Sequence, residues 1–155
     1  MVRSALLARI PAPGGLRFYP DEFPTFEHEP TRDRFAIVPV GDSVGEGVRA
    51  QVSFARGELV FEFTGFFSRR VTLFSLQVEE GLHLHDPYFM GKVLHSCDPN
   101  TRVDMRARTF TAVRPIDAGE FITMDYASTE MELHRTFRCA CGAAHCRGVI
   151  KGSRQ

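Results

Sequence analysis

The spacing Cys139-Ala140-Cys141-Gly142-Ala143-Ala144-His145-Cys146, with one further cysteine at Cys97, restricts this chain more than any other feature of its 155 residues. Two thiols one residue apart form a disulfide only under severe strain. Two thiolates in a tight turn, with a third after a glycine-bearing loop, instead surround one soft or borderline cation. Zinc fits that donor set best, and three thiolates leave one tetrahedral position to fill. Cys97 is the candidate fourth ligand, which would staple the tail onto the stretch Leu94-His95-Ser96-Cys97-Asp98-Pro99-Asn100. His145 is the rival, although next to Cys146 it has difficulty reaching the same ion.

Free thiols as ligands belong to a reducing compartment. The opening MVRSALLARIPAP is too short in its apolar part for a secretory leader, and no later run approaches the length of a membrane span. The expectation is a soluble intracellular protein, cytoplasmic or, in a eukaryote, nuclear. Lys plus Arg equals Asp plus Glu, 19 each, so no global field draws the chain to nucleic acid or to an anionic membrane. Neither partner is expected, and oligomeric state is left open. Fourteen Phe and no Trp point to a core built on phenylalanine packing.

The apolar runs are short and rich in β-branched and aromatic residues: 34–40, 58–67, 71–78 and 121–126, with a hairpin expected across 101–113. That is a mainly β pattern. Residues 1–33 hold five of the nine prolines and read as an extended lead-in, with the ordered core beginning near Arg34. Asp86-Pro87 signals a short helix through Tyr88 to Leu94, and Ser128 or Thr129 could cap a second over 128–135. His83 and His85 share a strand face and read as surface or cleft residues. SFARGELVFEF and PIDAGEFITMDY echo one another, a likeness that two ordinary Gly-Glu turns would also produce.

Four motifs in order, Gly45-Glu46-Gly47, His95-Ser96-Cys97-Asp98-Pro99-Asn100, Gly119 through Tyr126, and Cys139 through Ile150, resemble the SET domain of protein lysine methyltransferases with its post-SET zinc motif. The resemblance runs from about Arg34 to Lys151. It implies a fold of small curved sheets with a pseudoknot-like C-terminal crossing, a SET domain over 34–136, and a zinc-bound tail over 137–155. It also implies S-adenosylmethionine as methyl donor and structural zinc on Cys97, Cys139, Cys141 and Cys146. Gly45, Glu46, Gly47, Leu94 and His95 would hold the donor, Tyr126 would be catalytic, and Phe63, Met124, Val149 and Ile150 would line the substrate channel.

The chain departs from the family where Leu94 stands in place of Asn before His-Ser, where Phe63 replaces a common Tyr, and at Met124. Each change keeps an apolar shape and deletes hydrogen bonds. Three readings follow: methylation of a protein lysine, methylation of another and possibly small amine on the same scaffold, and a non-catalytic binding module. The first is the leading expectation.

Overall fold

A computed structural model of the chain describes residues 15–41 and 45–155. The expected absence of a leader at MVRSALLARIPAP falls outside those residues. The fold is mainly β, as expected, and its sheets are small. Strands β1 (Phe35–Pro39) and β2 (Glu46–Ala50) form one antiparallel pair. Strand β3 (Leu59–Glu62) joins the hairpin of β8 (Thr101–Asp104) and β9 (Thr109–Ala112) in the order β3-β9-β8. Strands β4 (Phe66–Ser68), β5 (Ser75–Glu79) and β6 (Leu82–His85) form a third sheet with β6 central. Two-residue strands complete the list: β7 (Leu94–His95) runs parallel to β10 (Thr123–Met124), and β11 (Phe137–Arg138) pairs with β12 (Val149–Ile150).

Phenylalanines fill the space between the sheets. Phe61 stacks on Phe110 at 4.4 Å between ring centroids and meets Phe89 edge-on at 4.8 Å, while Phe35 bridges Phe54 and Phe89. Phe35, Phe61, Phe89 and Phe110 are each 1% exposed or less. Rings of this size bury much apolar area with few rotatable bonds, so a small domain gains a rigid centre from them.

The lead-in is irregular but packed, and the core begins before Arg34. Phe18 and Tyr19 are buried in the aromatic cluster, and Arg17 pairs with Glu29 at 2.8 Å. The Tyr19 hydroxyl donates to the Asp86 carboxylate at 2.7 Å. Prolines set the path of this segment and its aromatics anchor it.

Asp86 caps as expected, accepting from the amides of Tyr88, Phe89 and Met90 at 2.9–3.0 Å. The helix it starts is only a 3-10 turn, Met90–Lys92, because Val93 is already extended ahead of β7. The second helix is absent. Ser128 and Thr129 donate back to the carbonyls of Asp125 and Tyr126, closing a 3-10 turn at Tyr126–Ser128 in place of a forward cap. His83 lies buried on β6, and His85 bonds Thr72 at 2.7 Å. Neither belongs to a metal-competent cluster among the described residues.

Candidate methyl-transfer cleft and cysteine cluster

The parallel pairing of β7 with β10 brings two chemically loaded segments side by side. Its backbone is held by side chains from the turn between. Asn100 donates to the Phe121 carbonyl at 2.8 Å and accepts from the Thr123 amide at 2.9 Å, and Thr101 donates to the Thr123 carbonyl at 2.6 Å. A two-residue strand cannot satisfy its own backbone, so buried Asn and Thr do it instead.

Tyr126 follows directly. Its hydroxyl donates to the Val93 carbonyl at 2.6 Å, and its amide donates to Nδ1 of His95 at 3.1 Å. That bond makes Nδ1 an acceptor and puts the proton of neutral His95 on Nε2. Burial pushes His95 down to about 4, with Arg147 lowering it further and Asp125 opposing. Burial also pushes the Tyr126 phenol up, and the charge of Glu130 adds to this, so the hydroxyl stays protonated near neutral pH. Phe137 meets both rings edge-on, 5.8 Å from His95 and 5.9 Å from Tyr126.

These groups face a cleft of about 1450 Å³ whose wall includes Gly45, Glu46, Leu94, His95, Met124 and Tyr126. That exceeds the roughly 300–1,000 Å³ of ordinary small-ligand pockets. Gly45 has φ +82° over open space, a conformation that favours glycine. Gly47, expected to hold the donor, does not line the cleft, and a Cβ there would fall 2.9 Å from Cδ1 of Leu94. Leu94 therefore packs closely over the glycine strand. Lys92 pairs with Glu46 at 2.5 Å and ties the same strand to the turn before β7.

Three expected channel residues do not line the cleft. Phe63 is buried against Phe61 and Phe110, because without a hydroxyl its ring has only core neighbours to satisfy. Val149 is half exposed, and Ile150 is buried where β12 pairs with β11. Phe137, two residues before Cys139, was missed, and its signal was an aromatic directly ahead of the first tail cysteine. Arg147 was missed as well. Its guanidinium forks onto Asp125 at 2.6 and 3.1 Å, tying the cysteine loop to the residue before Tyr126.

The sulfurs of Cys97, Cys139, Cys141 and Cys146 all lie within 4.8 Å of one another, Cys97 and Cys139 at 3.9 Å. A tetrahedral zinc with Zn–S of about 2.3 Å has S···S edges of about 3.8 Å, so the donor set fits that ion. His145 bonds the Cys97 carbonyl at 2.9 Å and supports the ligand loop without being a ligand. The amide of Arg147 donates to the Cys97 sulfur at 3.4 Å.

A scaffold of small sheets, a glycine-led strand, a parallel pair ending in Asp-Tyr, and a cysteine-stapled tail define one class of protein. The chain belongs to the SET domain family, whose model matches residues 45–127. Methyltransferase flvH of Aspergillus flavus is 27% identical over 135 residues, covering 84% of this chain and 75% of that protein. The histone-lysine N-methyltransferase Set2 of Drosophila melanogaster is 33% identical over 132 residues, covering 70% of this chain but 6% of its own length. Among solved structures, KRYPTONITE in complex with mCHH DNA, an H3(1-15) peptide and SAH superimposes with a TM-score of 0.61 at 23% identity, covering 74% of this chain and 29% of that one. The chain thus carries the SET scaffold of methyltransferases and spans a small part of the two larger proteins.

Proposed function

We propose that the chain transfers a methyl group from S-adenosylmethionine to a lysine-type side-chain amine of a protein. The observation carrying this reading is the Tyr126 hydroxyl, fixed on the Val93 carbonyl at the cleft wall between His95 and Phe137. The names of the sequence relatives, histone-lysine N-methyltransferases among them, support it, as does the SAH held by the solved neighbours.

When bound, S-adenosylmethionine supplies an electrophilic methyl on a sulfonium. The chain's own residues do the rest. Gly45, Glu46, Leu94 and His95 hold the donor along one wall. The apolar ring of Phe137 and the Met124 strand keep water from the amine, and loss of water lowers the amine's proton affinity. Tyr126, a neutral phenol, is no base; it orients the amine lone pair in line with the methyl. Zinc would be held by Cys97, Cys139, Cys141 and Cys146, where it fixes the tail and Phe137 over the cleft. Four free thiols accord with an intracellular setting. Among the described residues no helix is long and apolar enough to cross a membrane. Overall charge neutrality does not exclude nucleic acid near the substrate, since KRYPTONITE meets its peptide in a complex that contains DNA.

Labelled S-adenosylmethionine, offered with histone peptides in one arm and small alkyl amines in the other, tests the reading. Label should enter the peptides at lysine. Tyr126→Phe should lower single-turnover transfer by roughly 10²-fold while leaving S-adenosylhomocysteine affinity within a few-fold. Label confined to small amines would reassign the substrate, and a variant as fast as wild type would remove Tyr126 from the chemistry. Freshly prepared protein should carry about one zinc per chain.

A further inference from the structure

Glu130 has no part in the chemistry above, yet its position is costly. The residue is 3% exposed and still contributes to the cleft wall. It follows the Tyr126 turn, its amide bonding the Tyr126 carbonyl at 3.0 Å. One carboxylate oxygen, Oε2, accepts from the Gln77 amide at 2.7 Å. Among the described residues no Lys, Arg or His forms an ion pair with it: Lys92 and Arg114 at the cleft are paired with Glu46 and Asp98, Arg147 and Arg154 with Asp125 and Glu80, and His134, Arg135 and Arg138 border the cleft without reaching its carboxylate. A buried carboxylate without a cation is disfavoured unless something else completes it. Gln77 fixes its orientation but leaves its charge uncompensated.

We propose that Glu130 is the ammonium-recognition residue of the substrate site, its carboxylate holding a substrate alkylammonium in the cleft beside Tyr126. The inference rests on reading the cleft as a methyltransferase site. A charge-assisted bond of this kind is strong where water is excluded; it docks the amine in its protonated form, and the ammonium then releases its proton to solvent before the Tyr126 hydroxyl orients the freed lone pair. Burial holds the Glu130 carboxyl up at about 6, the Gln77 amide and Thr129 opposing, so the site is charged at neutral pH and loses its charge below. His134 lines the same cleft and is removed by substitution in the test below, and burial keeps His95, also at the cleft, down at about 4. Tyr126 stays protonated, Arg154 on the tail is paired with Glu80, and His83 on β6, next to β5, is pushed down by burial, with Glu132 opposing.

The second ammonium that could sit here is the cofactor's own, and the experiment separates the two. The probe is n-hexylammonium, with n-hexanol as its neutral counterpart, titrated into the full chain saturated with S-adenosylhomocysteine. Glu130→Gln, whose amide oxygen can still accept from Gln77, should weaken hexylammonium binding by about tenfold or more and leave hexanol and S-adenosylhomocysteine within about twofold. Glu130→Asp should restore part of the loss. Wild type and His134→Gln, which removes the exposed imidazole at the same cleft wall, provide an arm that leaves Glu130 in place: in both, hexylammonium affinity should fall as pH drops below about 6, while hexanol affinity stays flat. Equal hexylammonium binding by wild type and Glu130→Gln, or an equal loss for hexanol, overturns the proposal. So does a fall in S-adenosylhomocysteine affinity in Glu130→Gln, which would give the carboxylate to the cofactor. Wild type that fails to bind S-adenosylhomocysteine sinks the methyltransferase reading instead, and the hexylammonium comparison on the unliganded chain still decides the role of Glu130.

Discussion

The turn at 54–58 and the turn at 116–120 are built from the same bonds, yet they feed different structures. Gly57 and Gly119 have φ of +85° and +98°. Glu58 accepts from the Ala55 amide at 2.7 Å, as Glu120 accepts from the Asp117 amide at 2.5 Å. The Gly57 amide reaches the Ala112 carbonyl and the Gly119 amide reaches the Ala50 carbonyl, both at 2.7 Å. Phe54 and Ile116 exchange their amides across the centre at 2.8 and 2.9 Å. The two turns thus stand back to back about a local two-fold. After the first, β3 meets the hairpin strand β9 and buries Phe61. After the second, residues 120–122 bond β2 through the Ala50 amide to the Glu120 carbonyl and the Ile122 amide to the Val48 carbonyl, and β10 then pairs with the two residues of β7 and leads to Tyr126 at an open cleft. One turn design therefore serves two ends, and the strand partner decides which. A four-residue partner, β9, makes core, and a two-residue partner, β7, reinforced by Asn100 and Thr101, makes a site.

The largest effect should come from the core side. Phe61→Ala removes the ring that stacks on Phe110 and abuts Phe89, and should cost about 3–5 kcal/mol. Denaturant unfolding measures it. The fraction that stays folded should retain its S-adenosylhomocysteine affinity, and a parallel loss of affinity would show that the two halves are not separable.

On the site side the vulnerable residue is polar. Asn100→Ala strands the Phe121 carbonyl and the Thr123 amide in a buried place, and should cost about 2–3 kcal/mol. Here stability and methyl transfer should fall together, because β10 positions Tyr126. If Asn100→Ala loses stability but keeps full turnover, side-chain support of β10 is not what holds the site.

How far the sequence revealed this division depends on what makes each element. Strands with apolar neighbours carry a period, and the runs at 34–40 and 58–67 and the hairpin at 101–113 were legible for that reason. The site elements carry little. Strand β10 lies inside the run 121–126 that reads as β, whereas β7, β11 and β12 are two residues long, shorter than any periodic signal, and do not read as strands; only motifs of known chemistry mark their segments. Strand β2 read as a glycine loop because Gly45 and Gly47 mask its β character. Phe63 read as a channel residue because a motif position does not report which way a ring turns. Packing of Leu94 over Gly47, and of Tyr19 against Asp86, joins residues far apart in the chain, and no local pattern records it. The cysteines were the exception, since a shared ion makes distant residues predictable from their chemistry alone.

The smallest effect is the sharpest probe of the two-fold. Neither Gly57 nor Gly119 has any atom within 4 Å of where a Cβ would stand, so alanine at either costs only its unfavourable positive φ. That is about 1–2 kcal/mol for an L-residue. Gly57→Ala and Gly119→Ala should therefore cost the same within a few tenths of a kcal/mol, and the double variant should be additive if the two-fold is only geometric. Equal costs in unfolding should be accompanied by unequal costs in function. Gly119→Ala disturbs the strand that leads to Tyr126, and Gly57→Ala the strand that leads to Phe61, so only the first should reduce methyl transfer beyond its effect on stability. Two variants that lose stability equally and turnover equally would mean that β10 takes its position from the whole fold and not from its own turn.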